Sequence, residues 1–573
     1  MLQAIAHDTG HSEQPRTLLS RFGWLALLAG IALISLWPVW AATYVPHQDG
    51  PAHLYNVKLL RDIWSGADPG AAQLYEVNDW WLPTWFGHLL VFWLSEVVSY
   101  FTAQKLVVSA YVLALPASLA YAGRALGGDA VLPAALGLVL ASGHLLNLGF
   151  YMFCFSLPAA IVLAGYWARR ARSPGPGSAL VFAVLGILLY YTHIVTLVMA
   201  AIATLVITLA GLLADRRIAT PRLVLARTGW PLLGWLPALA LLAAFLLSRE
   251  TVSVGAPEVI DRAVQLAALT AVVSLEYREF FVTGALSLLL GVLVAVLLIA
   301  GMRHPRFAPS DTWLLVALVW LAVYLVAPET ELVSERGMQG GRFMVKRLQL
   351  FPVFAIVLWA AAQPLRGSAR RAVIAMVAVL AAALAGMRLE SYREAEAQIA
   401  EYVSAGALIE PGSSLLPLHM RSGGAQDADA SGYRDLQRLL ESWASSLADR
   451  RQAGCGRPPI RFADPLRHAS GYLALEHGAR SLDNYEANVG YFPLVFRPGR
   501  NPYRELGNFE LVPPRARFGD PRSGVDYVLV WRADADCPLT PELARELAGF
   551  EHVGSSRPRG LADLYRRSAA SRP

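Results

Sequence analysis

A chain of 573 residues, 55% of them apolar and only 16% charged, with a mean hydropathy of +0.42, excludes an ordinary soluble globular protein and reads as a polytopic membrane protein. The formal charge of +6 and the pI near 9.2 do not signal nucleic acid, because the Arg residues stand at the ends of apolar segments rather than in one patch. The 16 Trp and 21 Tyr suit many membrane-water boundaries, where amphipathic rings settle.

The first apolar run, 24–40, follows Arg16 and Arg21 and is longer than the core of a cleaved signal peptide, so it is expected to remain as a signal anchor. Apolar windows near 23–42, 103–123, 129–146, 149–168, 178–193, 194–214, 230–248, 282–302, 312–328, 348–363 and 372–388 are long enough to cross a bilayer, which predicts about 11 transmembrane helices. A twelfth window, 82–100, carries His88, Glu96, Trp85 and Trp93. Counting it as a span would invert every later loop. Read instead as an interfacial helix, it leaves the loops holding Arg124, Arg169–Arg172, Arg216–Arg227, Arg303–Arg306 and Arg366–Arg371 on the same side as Arg16 and Arg21, as the positive-inside rule requires.

This orientation places the first long loop, 43–102, outside the cytoplasmic membrane of a bacterium, along with everything after Arg388. The chain divides into a transmembrane domain, 1–388, and a soluble extracytoplasmic domain, 389–573. A helix at 433–450 and strands at 526–531 and 562–565 make the second domain α/β. Cys154 lies in an apolar window. Cys455 and Cys537 lie in the tail, where an oxidising compartment would permit one disulfide, and sequence separation leaves that bond open.

Chemistry concentrates in the outer loops. The stretch 47–56, HQDGPAHLYN, sets Asp49 between Pro46 and the Gly50-Pro51 turn, a constrained carboxylate able to take a proton from an acceptor hydroxyl or amine. Gln48 beside it and His53 one helical turn on are candidate substrate-contacting residues; His53 could orient Asp49 or meet a phosphate. The loop 337–347 breaks the charge rule, and its Arg342, Lys346 and Arg347 are placed to clamp an anion, or else to pair with Glu329, Glu331 and Glu335. His193 and His144 sit at outer ends of spans, where an ionisable group is either functional or a cap. Glu276 and Glu279 could bind a metal or acceptor, although such a pair is more often simply solvated. The chain has no phosphate-binding GxxxxGK[ST] loop, no HExxH helix and no CxxC pair, so nucleotide hydrolysis and zinc chemistry lack motif support.

With these residues in place, the chain resembles the GT-C superfamily of membrane glycosyltransferases, in its order of a first span, a long outer loop opening on an acid (Asp49 in HQDGPAHLYN), interfacial helices, many spans and an outer soluble domain. The resemblance implies a sugar donor on a polyprenyl phosphate, transfer on the outer face, Asp49 as catalytic base, and Arg342, Lys346 and Arg347 as a lipid-phosphate site. Inversion at the sugar carbon is the simplest accompanying chemistry. Many members carry adjacent acids in this loop, whereas Gln48 and Gly50 flank Asp49 here. No cofactor is firmly implied; a divalent metal stays open with no ligand assigned. The expected partners are the lipid-linked donor, an acceptor that is a glycan, lipid or protein, and membrane lipids, with no nucleic acid. Two other readings fit a chain of many spans: a flippase or transporter of lipid-linked saccharides, and a non-catalytic envelope assembly protein. Ionisable residues at outer boundaries rather than mid-membrane favour the enzyme.

Overall fold

The computed structural model describes residues 18–215, 220–255, 258–276, 278–302, 308–333, 339–340, 344–420, 463–507, 516–532 and 535–569. The molecule is a multi-pass bundle of α-helices joined to a C-terminal unit built on a β-sheet. Nine helices among the described residues are long and apolar enough to cross a membrane. The windows at 129–146 and 178–193 hold shorter apolar helices, Val131–Ala141 of 11 residues and Pro176–Thr192 of 17, so each of the eleven windows holds a helix but only nine of these helices have the length of a span.

The ambiguous window 82–100 is not one helix. Trp85–Leu94 runs for 10 residues, about 15 Å at the helical rise and half of what a bilayer core needs. The break has a local cause: the Ser99 hydroxyl accepts the Thr102 N–H at 3.2 Å and starts the next helix, Tyr100–Gly123, afresh. The stretch around Asp49 likewise opens a helix rather than a turn. Pro51 sits in the first turn of Gly50–Ser65, where its missing N–H costs nothing, and Gly66 (φ 70°) closes the far end by donating its N–H to the Asp62 and Ile63 carbonyls.

The C-terminal unit holds a five-stranded sheet ordered Arg480–Ser481, Ser414–His419, Tyr527–Trp531, Ala562–Arg567, Phe550–Ser555. The second strand is parallel to both its neighbours, with Leu416 opposite Val528, and the last two pairings are antiparallel, with Asp563 opposite Val530. The strands read at 526–531 and 562–565 are therefore partners, while the helix read at 433–450 lies outside the described residues, as does Cys455.

Three connections bind this unit to the membrane part. The helix Gly367–Ser404, 38 residues long, passes position 388 without interruption. Tyr75–Val77 in the first outer loop pairs antiparallel with Leu494–Phe496. One apolar core takes Leu54, Val57 and Val107 from the membrane side, and Tyr402, Leu415, Tyr472 and Leu473 from the C-terminal side. Burial on both sides of the seam makes the loop and the sheet unit one body, since separating them would expose these side chains to water.

Candidate active site

The site forms where the segment 47–49 lies along the turn 147–149. The Gln48 N–H donates to the Asn147 carbonyl at 2.9 Å, and the Asp49 N–H to the Leu148 carbonyl at 3.1 Å. Gly149 (φ +84°) makes this approach feasible, because a Cβ there would stand 2.9 Å from the Asp49 Cβ. Glycine at position 50 serves the same packing from the other side, with a Cβ there 2.4 Å from Gln104 Nε2.

Asp49 occupies the N-cap position of the helix Gly50–Ser65, yet its side chain makes no cap hydrogen bond. A capping Asp usually contributes about 1 kcal/mol by accepting an N–H of the first turn, so the carboxylate forgoes a local gain and points elsewhere. Its Oδ2 accepts the Tyr485 hydroxyl at 3.1 Å. Among the described residues its Oδ1 has only long contacts, 3.4 Å to Gln48 Nε2 and 3.8 Å to His468 Nε2, which leaves it capacity for an incoming donor. Asp49 is 6% exposed.

Behind His468 stands Asp483, 3.1 Å from its Nδ1, and Asp483 in turn accepts the Tyr503 hydroxyl at 2.8 Å. Burial would raise the Asp483 carboxyl, but the His468 imidazole beside it, the Tyr503 hydroxyl and the charge of His419 together outweigh that and hold it below its ordinary value. Gln48 Oε1 accepts the Asp464 N–H at 3.1 Å. The C-terminal unit thus contributes Tyr485 and His468 to the surroundings of Asp49 and Asp464 to those of Gln48.

The basic loop reaches the same place. Arg347 lies over the Phe150 ring, 4.3 Å from its centroid, and interacts electrostatically with Asp49, Tyr485 and Tyr491. His193 feels the charge of Arg347 and packs edge-on against Phe153 at 5.2 Å, while His144 feels that of Lys346. Asp49, Gln48, Arg347, Lys346, His193 and His144, scattered over 300 positions in the chain, are so brought to one region by the packing of the turn 143–149 and the helices beginning at Tyr151, Ile194 and Met344. Glu329 also feels Lys346 and Arg347, so the cations face acids on two sides. Arg342 lies outside the described residues.

Two sequence expectations need correction. His53 does not orient Asp49: its Nε2 donates to the Gly149 carbonyl at 2.8 Å and its Nδ1 pairs with Glu486. Nor is the Glu276 and Glu279 pair a solvated one. Glu279 is fully buried, accepts the Ser274 and Leu275 N–H groups and pairs with Arg388 at 3.0 Å, a structural role, and only Glu276 remains at the surface, 3.7 Å from Arg278.

Residues not foreseen are Tyr485, His468, Asp483 and Glu486. The signal for Asp483, Tyr485 and Glu486 was the polar run Asp483-Asn484-Tyr485-Glu486, more than 400 positions from Asp49, and His468 had none. Beneath the site, His47 bridges two tyrosines, its Nδ1 2.8 Å from the Tyr151 hydroxyl and its Nε2 2.9 Å from that of Tyr392. The Tyr392 hydroxyl also donates to Asn147 Oδ1 at 2.8 Å, which ties the turn 147–149 to the long helix Gly367–Ser404.

No protein-family model matches the chain, and no curated protein matches it in sequence. Among solved structures, it is similar to ArnT from Cupriavidus metallidurans bound to undecaprenyl phosphate, with a TM-score of 0.49 and 12% identity over 96% of this chain and 99% of that one. The apo state of the same protein gives a TM-score of 0.48 at 12% identity, over 97% and 99%. The arabinofuranosyltransferase AftD from Mycobacteria is similar at a TM-score of 0.46 and 15% identity, over 94% of this chain and 41% of that one.

Proposed function

We propose that the chain is a GT-C-type membrane glycosyltransferase that moves a sugar from a polyprenyl-phosphate donor to an acceptor at the outer face of the cytoplasmic membrane, with Asp49 as general base. The observation that supports this reading is the placement of Asp49: a buried carboxylate that gives up its helix cap, has one oxygen held by Tyr485 of the C-terminal unit, and lies within electrostatic reach of Arg347.

That arrangement suits a displacement in which the acceptor oxygen or nitrogen forms a bond to the sugar carbon. The bond from that carbon to the phosphate oxygen breaks, and the acceptor proton passes to Asp49. Charge develops on the leaving lipid phosphate, and Arg347 and Lys346 are the cations positioned to stabilise it. A donor anchored by its lipid needs no nucleotide-binding fold, in keeping with the missing phosphate-loop motif. Transmembrane residues 1–388 would bind the donor, and residues 389–573 would cover the site and admit the acceptor.

Two measurements test the reading. Mass spectrometry of the purified protein is expected to find a copurifying polyprenyl-phosphate lipid; its absence, in conditions that retain such a lipid on a control enzyme, would count against the donor class. Asp49→Asn is expected to keep the lipid while transfer falls about 10²–10⁴-fold, the usual worth of a general base; full transfer by a folded Asp49→Asn would sink the assigned role.

A further inference from the structure

Beside the candidate active site, and not part of the proton transfer assigned to it, lies a second buried group of ionisable residues. His53 on the helix Gly50–Ser65, His88 on the helix Trp85–Leu94 and Glu486 on the helix Tyr485–Val489 bring one ligand atom each to within 4.8 Å of one another. Side-chain exposure is 5%, 1% and 0%. Two features set the group apart from an ordinary buried ion pair.

The first is orientation. His53 Nε2 is fixed by the Gly149 carbonyl at 2.8 Å, and His88 Nδ1 by the Thr84 carbonyl at 3.2 Å. Each ring therefore spends one N–H on a backbone oxygen and turns its other nitrogen toward Glu486: His53 Nδ1 faces Oε1, and His88 Nε2 faces Oε2 at 2.9 Å. A backbone carbonyl that accepts the far N–H of the ring, and so fixes its tautomer and plane, is the arrangement metal-binding histidines adopt.

The second is charge. With one nitrogen of each ring already donating, the inward nitrogen of a neutral ring is a lone pair facing a carboxylate lone pair, and each such contact needs either a proton between the two atoms or a metal ion that both can ligate. Two extra protons would meet that need and leave two imidazolium ions beside one carboxylate. A single divalent cation meets it as well, with both rings neutral, and gives the same net charge. One ion thus replaces two protons at no change in buried charge, and it makes bonds to three ligands drawn from three separate elements.

We infer that His53, His88 and Glu486 form a binding site for one divalent transition-metal ion, of which zinc best matches the donor set. Two imidazoles and a carboxylate are borderline ligands that suit Zn²⁺ over Mg²⁺ or Ca²⁺, and three protein ligands leave a fourth position for water or a backbone oxygen. The nearby Asp49 carboxylate adds negative potential at His53. Phe492 screens the site, its ring centroid 6.3 Å from the His53 ring and 5.8 Å from that of His88. Because Glu486 follows Tyr485 directly, the ion would pin the short helix that carries the Asp49 partner onto the first outer loop. His53, His88 and Glu486 are positioning residues in this account.

The test uses the full-length chain, purified with its affinity tag removed from cells grown with added zinc, so that loading occurs during folding. Elemental analysis after extensive dialysis is expected to give about one zinc per chain. His88→Gln and Glu486→Gln are expected to carry at least tenfold less, and Asp49→Asn and Phe492→Leu, which remove no ligand, are expected to retain it. If the ligand variants fail to fold, the wild type alone decides. A strong chelator with mild heating is expected to strip the metal and lower the apparent melting temperature, and zinc, or cobalt with its visible absorption, to restore it. Metal below about a tenth of an equivalent in the folded wild type, or full metal retention in folded Glu486→Gln, would overturn the inference. Neither outcome depends on sugar transfer, so the metal site and the proposed reaction stand or fall separately.

Discussion

Replacing Gly149 by Ala tests whether the close approach behind Asp49 sets the geometry of the site. The residue has φ +84°, and an added Cβ would stand 2.8 Å from the Gly50 N and 2.9 Å from both the N and the Cβ of Asp49. The backbone alone costs about 1–2 kcal/mol for an L side chain in the left-handed region, and forcing a methyl into packed surroundings costs about 1–3 kcal/mol more, for a total of about 2–5 kcal/mol. Gly66 provides the control: φ is +70° and nothing lies within 4 Å of an added Cβ, so Gly66→Ala should show the backbone cost alone. The overlap in Gly149→Ala is with backbone, which must shift by tenths of an ångström and carry the carboxylate with it. A misplacement approaching 1 Å costs about 10²-fold in rate, so turnover should fall about 10- to 100-fold. Denaturant unfolding in detergent and transfer from a polyprenyl-phosphate sugar read the two effects. Equal stability and equal turnover in the two variants would refute the claim that Gly149 sets the position of Asp49.

Further predictions follow from single contacts. Tyr485→Phe removes the hydroxyl that holds Asp49 Oδ2 at 3.1 Å and should slow transfer with little change in lipid content; unchanged turnover would show that the hydroxyl does not position the base. Arg347→Met should lower transfer about 10²–10³-fold, the worth of one preorganised group at a developing anion, and Arg347→Lys should recover only part of it because the planar fork is lost; full activity in either would remove Arg347 from the leaving-group site. His47, in the loop before Asp49, is kept neutral by burial down to about 3 from an ordinary 6.5. The unfolded chain therefore binds the extra proton first, and stability falls as pH drops below about 6.5, by about 2 kcal/mol at pH 5. Apparent melting against pH should show this slope in the wild type and a flatter one in His47→Gln, and parallel curves would count against it.

The run of apolar helices was legible because burial in lipid writes itself into long apolar windows: each of the eleven windows contains a helix, and nine of these helices are long enough to cross a membrane. The division at 388 was drawn where composition changes. The helix Gly367–Ser404 ignores that change, since its later half exchanges an apolar surface for one packed against the sheet unit through Ile399, Tyr402 and Val403. Asp49 could be singled out from its neighbours Pro46, Gly50 and Pro51. Its partners could not: Tyr485 and His468 are set by docking across the seam, and nothing local to either position encodes the other. His53 shows the converse limit, because spacing put it one helical turn from Asp49 and only the third dimension revealed Glu486 and His88 as its neighbours.

The helix Gly367–Ser404 is a rod of about 57 Å at 1.5 Å per residue. It carries Val377 in the bundle core, Tyr392 against Asn147 and His47, and Glu401 clamped by Arg559 and the Leu561 N–H of the sheet unit. A rod gripped at three points behaves as a lever. Tyr392 holds the turn behind Asp49 through Asn147, and Glu401 further along the same rod is held by the sheet unit, so the placement of the sheet and that of the turn are fixed by one element.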